Sequence, residues 1–199
     1  MTASAEHGTS GFARWYHDRA AWRFVALRYA PFLAGLSLAW EVLHLPLYTL
    51  WAEGAPAEIA FAVAHCTAGD MLIGLAALFL ALIAIRAGRL ADWRWRSIAA
   101  VAIVLGVGYT AFSEWLNTSV REAWAYSDWM PVLSPASVGA SPLLQWLVVP
   151  ALSLWLARRA ARKHAPGKAP GPPAPRSGRL LPAIWSATSG LLLAFAAAA

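Results

Sequence analysis

The residues best suited to chemistry in this chain sit where water is scarcest. Glu41 and His44 lie in the stretch WEVLHLPLY, and His65, Cys66 and Asp70 lie in AHCTAGD, within a long apolar run. Glu114, Asn117 and Arg121 follow in SEWLNTSVR, and Gln145 in SPLLQW. Ionisable groups inside apolar segments are costly, and they commonly mark ligand sites, ion sites or proton relays. Glu-x-x-His on a helix is one part of the carboxylate-bridged di-iron pattern, but the second such motif is missing here. His44, His65 and a carboxylate still suit a single metal ion such as zinc or iron. Two histidines on neighbouring helices also suit a haem, and Glu, His and Asp together suit a proton path. Against these stands a plainer reading, in which a Glu–His pair is polar glue between helices. Cys66 alone reads as a small buried hydrophobe.

The elements that must position these residues are membrane spans. Of 199 residues, 59% are hydrophobic and only 13% charged, and the mean hydropathy is +0.52. A soluble domain of this length has no core large enough for so much apolar surface. Apolar runs at 29–51 and 59–85 are long enough to cross a hydrocarbon layer of about 30 Å as helices; that at 98–113 nearly is once extended to Trp115, and that at 143–157 is if it begins near Ala140. The fold class is therefore an all-α membrane protein, a bundle of four transmembrane helices. A fifth is conceivable at the C-terminus, where residues 180–199 carry no charged side chain. A Pro/Gly-rich linker, 164–179, separates that run from the four-helix domain at 24–163. Residues 1–23 are polar and read as a lead-in on the cytoplasmic side rather than a signal peptide.

Charge sets the expected orientation. Of the 16 Lys and Arg, all but Arg121 fall before the first span, between the second and third, or after the fourth. By the positive-inside rule the N-terminus and the 86–97 loop face the cytoplasm and the 118–142 loop faces the periplasm. The expected location is the bacterial inner (plasma) membrane. The isoelectric point of about 10.1 then follows from topology. Charges that merely flank spans make no basic stripe, so no nucleic acid is expected as a partner. The single cysteine excludes an intramolecular disulfide. Many of the 12 Trp fall near span ends, as interfacial anchors do.

Depth along these spans brings the polar groups to one level. At about 1.5 Å of rise per residue, Glu41 lies near the midplane, with His44 about 5 Å further out. His65 and Cys66 lie in the outer half of the second span, and Asp70 approaches its middle. Glu114 and Gln145 fall near the outer ends of the third and fourth. Glu41 and His44 share a face, as do Glu114, Asn117 and Arg121. His65 and Asp70 stand roughly 140° apart, so they share a broad cavity or touch two different neighbours. The expectation is a polar pocket enclosed by four spans and open to the outer leaflet, with Asn117, Arg121 and Gln145 on its walls. Its partner would be a membrane lipid.

The long outer connection adds a second signal. Residues 113–150, SEWLNTSVREAWAYSDWMPVLSPASVGASPLLQWLVVP, are rich in Trp, Tyr and Pro, and should fold back over the bundle. Glu114, then Trp124-x-Tyr126, Pro131, Gly139 and Pro142 resemble carotenoid hydratase and lycopene cyclase-type membrane proteins. The paired acidic residues that open the next span in those cyclases are replaced by Gln145 and Trp146. The whole chain also resembles a family of small bacterial multi-pass inner-membrane proteins with no assigned activity. The cyclase resemblance implies acid chemistry on an isoprenoid or similar lipid. Glu41, Asp70 or Glu114 would be the acid, and Trp124 and Tyr126 the aromatic walls facing a cation. Interfacial anchoring explains those two aromatics equally. A metal- or haem-binding subunit and a structural subunit with a membrane-protein partner remain the alternatives.

Overall fold

The computed structural model describes residues 14–135 and 137–163. The lead-in before residue 14, the 164–179 linker and the 180–199 run lie outside the described residues. Four long helices dominate: α1 (Arg19–Leu47), α2 (Pro56–Ala84), α3 (Trp95–Val120) and α4 (Ala140–Lys163). All four are long and apolar enough to cross a membrane, and the protein is a multi-pass, all-α membrane protein. They close into a ring in which α1 packs on α2, α2 on α3, α3 on α4, and α4 back on α1.

Helix ends follow local chemistry. Asp18 caps α1 by accepting the Ala20 N–H at 2.9 Å, so the helix starts at Arg19, inside the stretch read as polar lead-in. Val25–Tyr29 widens to a π-turn just before Pro31, whose missing N–H breaks the regular ladder. Pro46 forces the last residues of α1 into a 3-10 turn, so the helix ends at Leu47 rather than near residue 51. Pro56 opens α2, and the Glu58 carboxylate accepts the Ala55 N–H at 2.9 Å, a stop and start set by backbone donors. The third span outlasts its apolar run. Asn117 and Thr118 bond back to the carbonyls of Ser113 and Glu114, at 2.8 and 2.7 Å, and a π-turn carries the helix to Val120.

The bundle has two unlike halves. At the arginine-rich end the core is tight and apolar: Tyr29, Leu33, Leu78, Leu82 and Ile98 are buried together with Ala102 and Ala157. Gly74 lets α1 close on α2, since a Cβ there would meet the Leu33 side chain. Gly106 likewise lets the Trp146 ring lie flat against α3. The opposite end is polar and hollow.

The long connection is an ordered cover. Helix α3 takes up its first residues, so the 118–142 segment is free of the bundle only from Arg121. The Thr49 N–H donates to the Ala125 carbonyl at 3.1 Å, and Ser127 N–H to Leu47 at 2.9 Å, stitching the segment to the end of α1. A short hairpin of β1 (Val132–Leu133) and β2 (Val138–Gly139) then leads into α4.

Candidate functional site

A cavity of about 410 Å³ lies between the polar halves of the four helices. Glu41, His44, His65, Asp70 and Glu114 all line it, with Asn117, Arg121, Trp124 and Gln145. Three carboxyl groups on three different helices thus face one space. Glu41, His44, Asp70, Glu114 and Gln145 are buried.

Gln145 ties two of the carboxyls together. Its amide Nε2 donates to Glu41 Oε1 at 3.3 Å and to Asp70 Oδ2 at 2.5 Å. Its place near the start of α4 brings it between α1 and α2, so one side chain staples three helices. Glu41 also meets His44 Nε2 through its other oxygen at 3.2 Å, the i, i+3 contact that the spacing implies. His44 Nδ1 lies 3.2 Å from Ser141 Oγ. With the proton on Nε2, the ring donates to Glu41 and accepts from Ser141; the opposite tautomer reverses both roles. Ser37, one turn below Glu41 and fully enclosed, bonds the Asp70 carboxyl from beneath.

Glu114 belongs to a second group at the mouth. One of its oxygens accepts the Tyr126 hydroxyl at 2.5 Å and the Tyr48 hydroxyl at 3.5 Å. The Tyr126 oxygen in turn accepts the Gly139 N–H at 2.9 Å. Burial, then the bond to Glu114, pushes the Tyr126 hydroxyl above its ordinary range; burial and the same carboxylate do so at Tyr48. Both therefore stay protonated and act as donors. Gly139 is required at its position, because a Cβ would crowd the Tyr126 ring at 3.0 Å. Tyr126 stands behind Glu114 and positions it, whereas Trp124 is part of the cavity wall.

One side of the cavity is open. His65 and Cys66 on α2 line it and are also exposed, and so is Tyr109 on α3, at 52%. His65 stacks on the exposed Phe61 ring at 5.6 Å. The cavity is exposed at these positions of α2 and α3. Gly69 widens it, since a Cβ there would meet nothing within 4 Å. The angle between His65 and Asp70 is accommodated by breadth: Asp70 is enclosed and His65 stands at the rim. Cys66 is exposed there rather than buried.

The donors do not suit a metal centre of three side chains. Among the described residues no group of three His, Cys, Asp or Glu has the spacing for one. Both ring nitrogens of His44 are engaged, with Glu41 and Ser141. The arrangement suits other chemistry: two hydrogen-bonded carboxyl clusters, with Tyr48, Trp124 and Trp146 rings between them, can bind a cationic centre or exchange a proton with a bound molecule.

Three contributors escaped the sequence reading. Tyr48 lies four residues after His44 and so continues its face, a spacing that would have found it. Ser141 and Ser37 carry no such signal, because only the folded chain sets them against His44 and Asp70. No protein-family model, no curated protein and no solved structure matches the chain.

Proposed function

We propose that the cavity takes up a lipid-like molecule from the membrane through the opening between α2 and α3, and that an isoprenoid is the class it suits best. The observation that carries this reading is the combination of three carboxyls on one cavity with exposed lining residues on α2 and α3. A volume of about 410 Å³ suits the head or terminal segment of such a molecule. A saturated chain would leave the carboxyls without use, whereas a double bond gives them a partner.

In this reading the Glu41–Asp70 pair, bridged by Gln145, holds the acidic proton. Its transfer to an alkene carbon breaks the O–H bond and forms a C–H bond, leaving a tertiary cation beside the Trp124, Trp146 and Tyr48 rings. Glu114, held as an acceptor by two tyrosine hydroxyls, is the base that removes a proton from the neighbouring carbon. The substrate leaves with its double bond shifted, and one proton has moved from the pair to Glu114; its return from Glu114 to the pair across the cavity completes the cycle. The lopsided Lys and Arg distribution supports a cytoplasmic N-terminus and a bacterial inner membrane, so that the cavity serves the outer leaflet.

The test is extraction in native lipid, followed by native mass spectrometry and an absorption spectrum. An isoprenoid retained by the wild type and lost from Glu41→Gln and Asp70→Asn supports the reading. Retention of bulk phospholipid alone, with the same composition in the variants, overturns it.

A further inference from the structure

A second cavity lies at the opposite, arginine-rich end. It has a volume of about 840 Å³, and Arg14, Arg86, Arg89 and Asp92 bring their charges to it. We propose that this cavity binds the phosphodiester group of an anionic phospholipid, with the acyl chains lying along α2.

The cavity is held in shape from both sides. The Trp15 N–H donates to the Ala87 carbonyl at 3.2 Å, and the Leu90 N–H donates to Asp18 Oδ2 at 2.8 Å. The segment before α1 is thereby fixed against the α2–α3 loop. The Trp15 ring stacks on Phe79 at 5.4 Å, closing the floor.

Arg86 carries the inference furthest. It sits just past the end of α2 with φ of 51°, the left-handed region where glycine is the undemanding choice. An arginine kept there at a conformational cost points to a use for its side chain. Its guanidinium makes no hydrogen bond or ion pair among the described residues. Arg94, by contrast, is occupied, donating to the Ile85 carbonyl at 3.2 Å. Arg14 donates to the Tyr16 hydroxyl at 3.2 Å and makes no second hydrogen bond among the described residues.

Charge narrows the ligand. Arg89 faces the Asp18 carboxylate, and the Asp92 carboxylate also lines the cavity. Those two acids offset part of the positive charge. The remainder, centred on Arg86 and Arg14, matches one negative charge better than two, hence a phosphodiester rather than free inorganic phosphate. Apolar surface completes the match: Leu82 lines the cavity, and Ile83 beside it is 60% exposed on the lipid-facing side. A phospholipid uses both surfaces at once, as basic pockets at helix ends do.

The experiment uses the full chain in detergent, relipidated with phosphatidylglycerol or phosphatidylcholine, or given inorganic phosphate alone. Retained lipid is counted by native mass spectrometry, and the melting midpoint is read in parallel. Phosphatidylglycerol is expected to survive detergent exchange and raise the midpoint, while phosphatidylcholine and phosphate do neither. In Arg86→Gly, retention should fall about fivefold or more, the loss expected for one basic group at an anionic headgroup. Its midpoint in phosphatidylcholine should hold or rise, since glycine relaxes the left-handed turn, which separates the site from the fold. Arg162→Gln, at the same end on α4 but outside the cavity, should behave as wild type. Equal losses in Arg86→Gly and Arg162→Gln would overturn the proposal in favour of diffuse charge attraction, and a midpoint gain with phosphate alone would overturn the lipid assignment.

Discussion

Gln145→Leu removes the one side chain that joins Glu41 to Asp70 while keeping nearly the same volume. Two donations disappear, at 3.3 and 2.5 Å, and each leaves a buried carboxyl oxygen without that donor. Hydrogen bonds between membrane helices average about 0.6 kcal/mol and reach about 1.7 kcal/mol. Bonds to charged groups in soluble proteins run to about 1.5–3 kcal/mol. The short bond to Asp70 belongs at the upper part of the first range, and Glu41 keeps its His44 contact through the other oxygen. The expected loss is therefore about 1–3 kcal/mol. Reversible unfolding in mixed micelles, followed by tryptophan fluorescence, reads it. Asp70→Leu removes the same contact from the other side, so the double variant should be more stable than the two single losses add up to. A coupling of about 1 kcal/mol or more is expected for side chains in direct contact. Unchanged stability in Gln145→Leu, or strictly additive losses, would refute the bridged pair as the element that organises the cavity.

Tyr126→Phe takes one donor from Glu114 and leaves the Gly139 N–H without its acceptor, so exchange of the Gly139 amide should speed up by about tenfold while the four helices stay protected; unchanged protection contradicts the role given to Tyr126. Asp18 is held below its ordinary value of 3.8, chiefly by the Leu90 N–H, so its stabilising effect is complete above that value and is lost as pH falls through the lower folded value. Asp18→Asn should accordingly flatten the decline in stability below about pH 4, measured by unfolding across an acid series. For orientation, cysteines at Ala91 and Ser134 in a Cys66→Ala background should differ toward an impermeant maleimide added outside, with position 134 labelled and 91 protected; the reverse pattern inverts the topology.

The spans were legible because apolar length is a one-dimensional property, and their ends were not, because ends depend on single donors and acceptors. Arg19–Arg23 reads as polar from composition, yet Asp18 caps a helix there and both arginines are exposed on it. Leu47 ends α1 early because Pro46 cannot continue the ladder. In the cavity, Glu41 and His44 were readable as a pair from their spacing of three. Their link to Asp70 through Gln145 was not, since it spans three helices and depends on how α4 enters the bundle. The cyclase resemblance implied an aromatic wall at Tyr126; the fold places it behind Glu114, where its hydroxyl bonds the carboxylate. His65 shows the opposite case: its angle of roughly 140° from Asp70 allowed a broad cavity or contacts with two neighbours, and in the fold both line one cavity, Asp70 enclosed and His65 exposed.

A lipid-phase way into the cavity between α2 and α3 would pass Gly69. A Cβ there meets nothing within 4 Å, and the residue lines the cavity beside its open side. Gly69→Phe should therefore fold normally, with an unchanged or slightly raised melting midpoint, because glycine is the weakest helix former after proline. The measurement is native mass spectrometry of wild type and Gly69→Phe purified side by side from the same lipid. An isoprenoid adduct is expected in the wild type and absent from the variant at equal stability. An adduct retained equally by both would contradict that route.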